Sequence, residues 1–215
     1  MSFDSDFFKR FFNKYIQVIE DNKDYLSDLD RKAGDGDHGI TMSIGWQAVK
    51  KELEGPLYDE KDPAKINIVV GKTFLNATGS SVGPLYATGF LRGAKVLKDS
   101  SNFNEKTLVS YWESFCNGIK ERGGAEIGDK TMIDTLEPAK NKLIEQFEIT
   151  NDLIVSFAKA LIEAKKGMES TINMISKKGR SSRLGDRSRG GQDPGATSAY
   201  LLLKSFMDSL EVYII

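Results

Sequence analysis

This sequence has very little cysteine and almost no net charge, and each shortage excludes a class of protein. Cys116 is the only cysteine in 215 residues, which excludes a disulfide framework and a cysteine-rich zinc site. The formal charge of -1 gives no general attraction to nucleic acid or to an anionic membrane. No apolar run approaches the ~20 residues that span a bilayer.

The first residues argue against export. Residues 1–6 carry two acids ahead of the first apolar run, whereas a secretory signal begins with positive charge. Hydrophobic residues make up 40% of the chain, which is enough to form a buried core. We therefore expect a soluble, cytoplasmic protein that folds as a single domain over residues 1–215.

Most of the chain repeats its apolar residues with the 3.6-residue period of an α-helix. The first predicted helix runs from about residue 8 to the loop at 30. Six others are predicted over residues 40–53, 62–76, 85–97, 105–122, 154–179 and 193–210, and one more begins near residue 131. The apolar run 66–70 alternatively fits a strand. Eight helices, short loops and no clear β-alternation predict an all-α antiparallel bundle.

The most distinctive stretch is the acidic, glycine-rich segment 30–39. Asp30, Asp35 and Asp37 fall within eight residues, among three glycines and beside His38, the only histidine. Glycine resists helical order, so this segment is predicted to be a loop in which the carboxylates converge. Converging carboxylates need a cation, and hard oxygen ligands favour Mg²⁺ or Ca²⁺ over zinc. An acidic surface turn is the alternative interpretation.

Three familiar motifs are rejected. Residues 34–39 match the G-x-G-x-x-G spacing of dinucleotide-binding proteins, but a helical pattern precedes them and their carboxylates would repel phosphate unless a metal intervened. Gly71-Lys72-Thr73 resembles the end of a P-loop, but Ile66 stands where that motif requires its first glycine. An EF-hand starting at Asp35 would place Trp46 where a bidentate glutamate is needed.

Polar, glycine-bearing loops are predicted at 30–39, 79–84, 123–131 and 179–195. Loops of an antiparallel bundle can gather at one end and form a shared site. Pro84 and Pro194 mark predicted helix N-termini, whose free N–H groups suit phosphate oxygens, and the last loop brings arginines for phosphate charge. Together with metal-binding carboxylates, these features predict a site for a nucleoside di- or triphosphate.

The role of His38 remains open among three possibilities. It could be a phosphoryl acceptor, a nucleotide contact or a structural donor that holds the loop. Packing against three carboxylates would favour its charged form, which is a poorer nucleophile. We therefore favour a contact or structural role.

Five ordered blocks resemble a known family. The blocks are Leu29-Asp30-Arg31 with Gly34-Asp35-Gly36-Asp37-His38-Gly39, Gly83-Pro84-Leu85, residues 128–134, Lys178-Gly179-Arg180 and residues 192–198. They closely resemble the nucleotide-binding L subunit of dihydroxyacetone kinases, in family order, from about residue 25 to 200. The resemblance implies an eight-helix antiparallel barrel with the nucleotide at one end.

The resemblance also implies roles for individual residues. Asp30, Asp35 and Asp37 would hold two Mg²⁺ ions that bridge the nucleotide phosphates. Ser80 and Ser81 would lie near phosphate, and Gly123 and Met132 would border the adenine. The other nucleotide contacts implied by position are His38, Gly39, Ile40, Thr41, Arg180, Asp193 and Gly195. The segment 79–82 is less glycine-rich than the family form.

The length of 215 residues is similar to the separate subunit of the phosphoenolpyruvate-dependent members. In that system ADP stays bound as a cofactor and is converted to ATP in place by a phosphohistidine carrier subunit of the phosphotransferase system. The γ-phosphoryl then passes to dihydroxyacetone on a partner kinase subunit and gives dihydroxyacetone phosphate. These partners, and neither nucleic acid nor membrane, are therefore expected.

Three other functions stay open at this point. The chain could be an ATP-using kinase subunit for another small ketose or polyol, because the substrate would be bound by a partner. It could be a nucleotide-binding regulatory subunit, although the aspartate set is intact. A helical nucleic-acid-binding protein using residues 177–189 is disfavoured by the net charge and by the lack of interleaved aromatics there.

Overall fold

The computed structural model describes residues 3–32 and 34–212, and all regular structure in these ranges is helical. The α-helices are α1 Ser5–Asp21, α2 Lys23–Arg31, α3 His38–Glu54, α4 Pro63–Ala77, α5 Val82–Lys98, α6 Glu105–Gly123, α7 Ile133–Thr150, α8 Leu153–Ser170 and α9 Pro194–Val212. Short 3₁₀ helices span Thr171–Asn173 and Arg180–Ser188. Among these elements, no helix is long and apolar enough to cross a membrane.

The long helices form a closed ring. From α3 to α9 each helix packs against the next along the chain, and α1 closes the ring by packing against both α3 and α9. The short helix α2 lies outside this sequence of eight and contacts α3 and α9. The predicted all-α bundle of eight antiparallel helices is therefore confirmed, with α2 as an addition.

The centre of the ring is filled by aromatic side chains, many of them from α1. Phe11 packs edge-to-face on Phe206 of α9 at 5.2 Å between ring centroids, and Tyr15 packs on Trp46 of α3 at 4.7 Å. Trp112 of α6 meets Phe206 at 4.9 Å. These rings are buried, so the aromatic side chains of α1 form a large part of the apolar core inside the ring.

The predicted first helix is wrong in one respect. Asn22 leaves the helical region (φ -109°, ψ 7°) and divides the segment into α1 and α2. Its side-chain amide donates to Val18 O at 2.8 Å, which caps the end of α1. The sequence pattern does not predict this break, because the apolar residues keep helical spacing both before and after Asn22.

Two other predicted boundaries are also wrong. The stripe at 154–179 stays α-helical only to Ser170, after which the 3₁₀ turn Thr171–Asn173 ends the helix before Ile175. The helix predicted from Leu85 begins at Val82, so Pro84 lies inside its first turn. By contrast, Asp62 caps α4 through Ala64 N at 2.8 Å as its sequence suggests, and residues 66–70 are helical.

Candidate functional site

The four predicted polar loops meet around one cavity of about 520 Å³. Its wall is contributed by residues of the segments 30–38, 80–84, 123–133 and 178–195, which include the adjoining helix ends. The helices that precede and follow these loops are rigidly packed in the ring, so loops far apart in the sequence are brought to the same place. The cavity lies within the size range of small-molecule sites, roughly 300–1,000 Å³.

One side of this cavity is a cluster of carboxylates. Asp30, Asp35 and Asp37 each offer an oxygen, and these oxygens lie within 4.8 Å of one another. Partial burial raises the pKa of Asp37, and the negative charge of Asp30 adds to this effect. Three carboxylate oxygens that converge against their own repulsion suit a hard divalent cation, so the residues fit a Mg²⁺ site.

The loop between α2 and α3 is folded around the Asp30 carboxylate. Asp30 Oδ2 accepts hydrogen bonds from the backbone N–H groups of Asp37 and His38, at 3.0 and 3.3 Å. Asp30 therefore caps the start of α3 from the preceding helix. At Gly34 a Cβ atom would collide with the same carboxylate, and Gly36 adopts φ +78°, so glycine is needed at both turns.

The His38 side chain contacts α9. Its Nε2 lies 3.1 Å from Ser198 Oγ on α9. Burial lowers the pKa of His38 to about 4, although Asp30 acts in the opposite direction. The expectation of a charged histidine was therefore wrong, because desolvation of the ring outweighs the nearby carboxylates.

Ser198 also connects the site to the aromatic core. Its hydroxyl donates to Gly195 O at 3.1 Å, and its carbonyl accepts from Tyr15 OH at 2.9 Å. Tyr86 OH lies 3.3 Å from Tyr15 OH and 3.5 Å from Ser198 Oγ. These buried polar groups give His38 a fixed neighbour that sequence reasoning missed.

Part of the cavity lining is apolar. Its lining includes Val82, Leu85, Ile119, Ala125 and Met132, from helices α5 and α6 and the loop that follows α6. A flat aromatic base packs well on such side chains, and methionine adapts its shape readily. The lining thus combines a carboxylate cluster that suits metal and phosphates with apolar side chains that suit a nucleobase.

The arginine segment, residues 174–191, borders the carboxylate side. Arg180 Nη1 contacts Asp35 and lies 3.0 Å from Asp37 Oδ2. Residues 179–195 were predicted as a loop, but Arg180–Ser188 is 3₁₀-helical with a break at Gly185 (φ 54°). Its Arg183, Arg187 and Arg189 are exposed.

The N-terminus of α9 begins at Pro194 as predicted, but one of its N–H groups is already used. Asp193 Oδ2 accepts from Ala196 N at 2.7 Å. Burial, together with the charges of Asp134 and Asp30, raises the pKa of Asp193 to about 7 against the effects of this hydrogen bond and of Lys130. This carboxylate therefore caps one N–H group of the helix end, that of Ala196.

Most residues predicted for the site border the cavity. These are Asp30, Asp35, Asp37, His38, Ser80, Ser81, Gly123, Met132, Arg180, Asp193 and Gly195. Within the described ranges, Gly39, Ile40 and Thr41 are not part of the lining. Gly39 is buried where a Cβ would collide with Lys23 O, and Ile40 is 47% exposed on α3.

Several lining residues were not predicted as site residues. They include Leu85, Ile119, Arg122, Ala125, Lys130 and Ile133. The apolar members share the helical spacing of ordinary core residues, so their pattern carries no separate signal. Lys130 follows Asp129 in a polar turn, where a solvent-facing lysine is the usual expectation.

Comparison with known proteins agrees with this geometry. The family model described as the DAK2 domain matches residues 32–208. The chain belongs to the DAK2-domain family. It is 37% identical over 212 residues to the Listeria innocua protein named "PEP-dependent dihydroxyacetone kinase 1, ADP-binding subunit DhaL", covering 97% of this chain and 98% of that protein.

Two further relatives differ in length and in the activity that their names give. The Escherichia coli ADP-binding subunit DhaL is 36% identical and covers 87% of this chain and 88% of that protein. The Mycolicibacterium smegmatis "L-erythrulose 1-kinase" is 29% identical and covers 91% of this chain, which spans 34% of that protein.

The fold is shared with a solved DAK2-domain protein. The dihydroxyacetone kinase of C. freundii superposes with a TM-score of 0.72 at 26% identity, over 94% of this chain and 34% of that one. A second structure of that kinase, in complex with AMP-PNP and Mg²⁺, has a TM-score of 0.68. The helical ring described above is therefore the fold of this family.

Proposed function

We propose that this chain is the ADP-binding subunit of a phosphoenolpyruvate-dependent dihydroxyacetone kinase. In this proposal a phosphohistidine carrier subunit phosphorylates the bound ADP in place. The γ-phosphoryl is then transferred to dihydroxyacetone on a partner kinase subunit, and dihydroxyacetone phosphate is formed. The whole chain, residues 1–215, would serve as a single ADP/ATP-binding domain in the cytoplasm.

The observation that carries this proposal is that carboxylates and apolar side chains line one cavity. Carboxylate oxygens within 4.8 Å of one another border the same cavity as the apolar side chains Leu85 and Met132. A nucleoside diphosphate has this polarity, with a charged phosphate end and a flat base. The name of the L. innocua relative supports ADP as the ligand.

Asp30, Asp35 and Asp37 would hold two Mg²⁺ ions. When bound, Mg²⁺ supplies charge neutralisation and alignment for phosphoryl transfer. The residues of this chain would orient the phosphates and shield them from water. Asp30 fixes the start of α3 through Asp37 N, and the guanidinium of Arg180 lies beside the carboxylates, where it would reach phosphate oxygens.

The chain needs no covalent nucleophile in this scheme. His38 donates to or accepts from Ser198 rather than standing free, and its imidazole is neutral at pH 7 because its pKa is about 4. These facts favour a positioning role beside the nucleotide over a phosphoryl-accepting role. The arginine segment would act as a lid that keeps water from the phosphates.

A second small ketose is the alternative substrate. The M. smegmatis relative is named an L-erythrulose kinase, although it shares the domain found here. Because the substrate would be bound on the partner subunit, residues of this chain do not discriminate between the two ketoses. The substrate can be identified only by assaying the complex.

Native mass spectrometry of the purified protein tests the proposal directly. We expect ADP and Mg²⁺ to remain bound through purification, and the mass to rise by one phosphoryl group when the phosphorylated carrier is added. Protein that is purified empty and exchanges freely with ATP would instead indicate an ordinary ATP-using subunit. Absence of nucleotide binding under any condition would refute the proposal.

A further inference from the structure

Lys130 is a buried cation held by main-chain carbonyls. It is 2% exposed, and its ammonium donates to Ser188 O at 2.6 Å, Gly191 O at 2.7 Å and Met174 O at 3.3 Å. A lysine ammonium has three N–H donors, and here each has an acceptor. Burial lowers the pKa of Lys130, while the nearby Asp193 raises it.

The acceptors lie at both ends of the arginine segment. Met174 precedes the 3₁₀ helix Arg180–Ser188, whereas Ser188 and Gly191 end and follow it. One ammonium therefore closes the segment into a loop and ties it to the polar turn at 123–131. Thr131 and Met132, the next two residues, border the cavity.

The lysine itself stands on a firmly held turn. Its backbone is left-handed, with φ 61°, a conformation that costs free energy for a residue with a Cβ. On either side, Gly128 N and Thr131 N donate to the buried Asp134 carboxylate at 2.6 and 2.7 Å. The surrounding contacts thus fix the point from which the lysine side chain extends.

Other links between this turn and the arginine segment include exposed or neutral contacts. Lys177 Nζ lies 3.3 Å from Asp129 with its side chain 62% exposed, and such pairs contribute little. Lys177 N donates to Asp129 O at 3.0 Å. Hydrogen bonds from a buried charge are stronger than neutral ones, so Lys130 is the strongest of these links.

We propose that Lys130 is a positioning residue for the nucleotide site: its ammonium holds the arginine segment in place and thereby sets Arg180 beside Asp35 and Asp37. This proposal rests on the proposed nucleotide-binding function. Without the ammonium, three inward-facing carbonyls lose their donor. The segment then loosens while the carboxylate cluster, which is built on the α2–α3 loop, stays formed.

Lys130→Met is the test variant, because methionine keeps much of the buried aliphatic stem and removes the charge. Lys140→Met is the matched control, since Lys140 is 10% exposed and donates to Asn117 and Glu137 rather than to the arginine segment. Each is compared with wild type by thermal melting, by limited trypsin cleavage within residues 180–189, and by dissociation of a fluorescent ADP analogue in the presence of Mg²⁺.

We expect Lys130→Met to release the analogue about tenfold faster, with a smaller change in its association rate, and to be cleaved faster within the arginine segment. Lys140→Met should lower the melting temperature without these local effects. Wild-type cleavage and dissociation rates in a folded Lys130→Met protein would overturn the proposal. A wild-type protein that binds no analogue would instead refute the proposed function.

A double-mutant cycle separates positioning from general stabilisation. If Lys130 acts through Arg180, Lys130→Met should change analogue dissociation far less in an Arg180→Met background than in wild type. Fully additive effects on the dissociation rate would show that Lys130 does not act through Arg180, and would also overturn the proposal.

Discussion

His38 Nε2 lies 3.1 Å from Ser198 Oγ, and the protons of the surrounding groups determine which of the two donates. Ser198 has one hydroxyl proton, which it donates to Gly195 O. When this proton is on Gly195 O, Nε2 is the donor to Ser198 Oγ, and the low pKa of His38, about 4, keeps the ring neutral at pH 7. We therefore expect the Nε2–H tautomer, with Nδ1 unprotonated, favoured by a serine 160 residues away in the chain.

This tautomer can be observed without assignment, because His38 is the only histidine. We expect the long-range ¹H–¹⁵N spectrum at pH 7 to show one neutral Nε2–H imidazole. Ser198→Ala removes the acceptor, so the Nε2 proton should exchange faster with solvent. The affinity for nucleotide should fall by about threefold to tenfold. A protonated or Nδ1–H imidazole in the wild type would contradict the hydrogen-bond arrangement.

Asp35→Ala removes one of the three converging carboxylates. We expect the protein to lose bound nucleotide and all kinase activity in the reconstituted system, because the metal ligand set is incomplete and Arg180 loses a partner. Isothermal titration with Mg²⁺–ADP measures the loss.

Asp28→Ala is the control for this change. Asp28 lies on α2 and pairs with the exposed Arg31, so its removal changes the local charge equally without touching the cluster. It should bind nucleotide like the wild type. Full activity and ADP retention in Asp35→Ala would refute the metal assignment.

Gly39→Ala tests the close packing of α3 against α2. A Cβ at Gly39 would collide with Lys23 O, which is backbone and cannot rotate away. We expect a loss of about 1–3 kcal/mol in the free energy of unfolding, measured with urea. Gly79→Ala has no atom within 4 Å of its new Cβ and should stay within about 0.5 kcal/mol of wild type.

Cys116 should give the protein an alkaline stability dependence. Its thiol is 2% exposed, and burial raises its pKa to about 12, partly opposed by Lys140. Because the unfolded thiol releases its proton near pH 9 while the folded one retains it, this contribution to stability is present below pH 9 and is lost as pH rises toward 12. The loss approaches about 1.4 kcal/mol per pH unit.

Urea unfolding of wild type and Cys116→Ala between pH 8 and 11 measures this effect. As the pH rises, the unfolding free energy of the wild type should fall more than that of Cys116→Ala. The native thiol should also resist an aromatic disulfide reagent at pH 8 and react fully after unfolding. Rapid reaction of the folded protein would contradict its burial.

Local chemistry explains which parts of the fold could be predicted. Asp62-Pro63 and Asp193-Pro194 are read correctly as helix starts because the cap and the proline are adjacent in sequence. The end of α8 is misplaced because the apolar spacing continues through the 3₁₀ turn Thr171–Asn173. The spacing of apolar residues shows which face of a helix is apolar. It does not show whether the backbone hydrogen bonds are those of an α-helix or of a 3₁₀ helix.

The features of the site also divide into those that the sequence predicts and those that it does not. The carboxylates of 30–39 are recognisable because they are concentrated in one segment. The partners of Lys130 are main-chain carbonyls 44 to 61 residues later, and any residue type supplies a carbonyl. Such contacts leave no trace in composition or spacing and appear only when the chain is folded.

The packing of Tyr15 on Trp46 has an optical consequence. Tyr15 stacks edge-on against this indole at 4.7 Å and donates its phenolic proton to Ser198, the neighbour of His38. His38 in turn lines the cavity. We therefore expect the emission of Trp46 to change when the cavity is occupied, which would allow binding to be followed without a label.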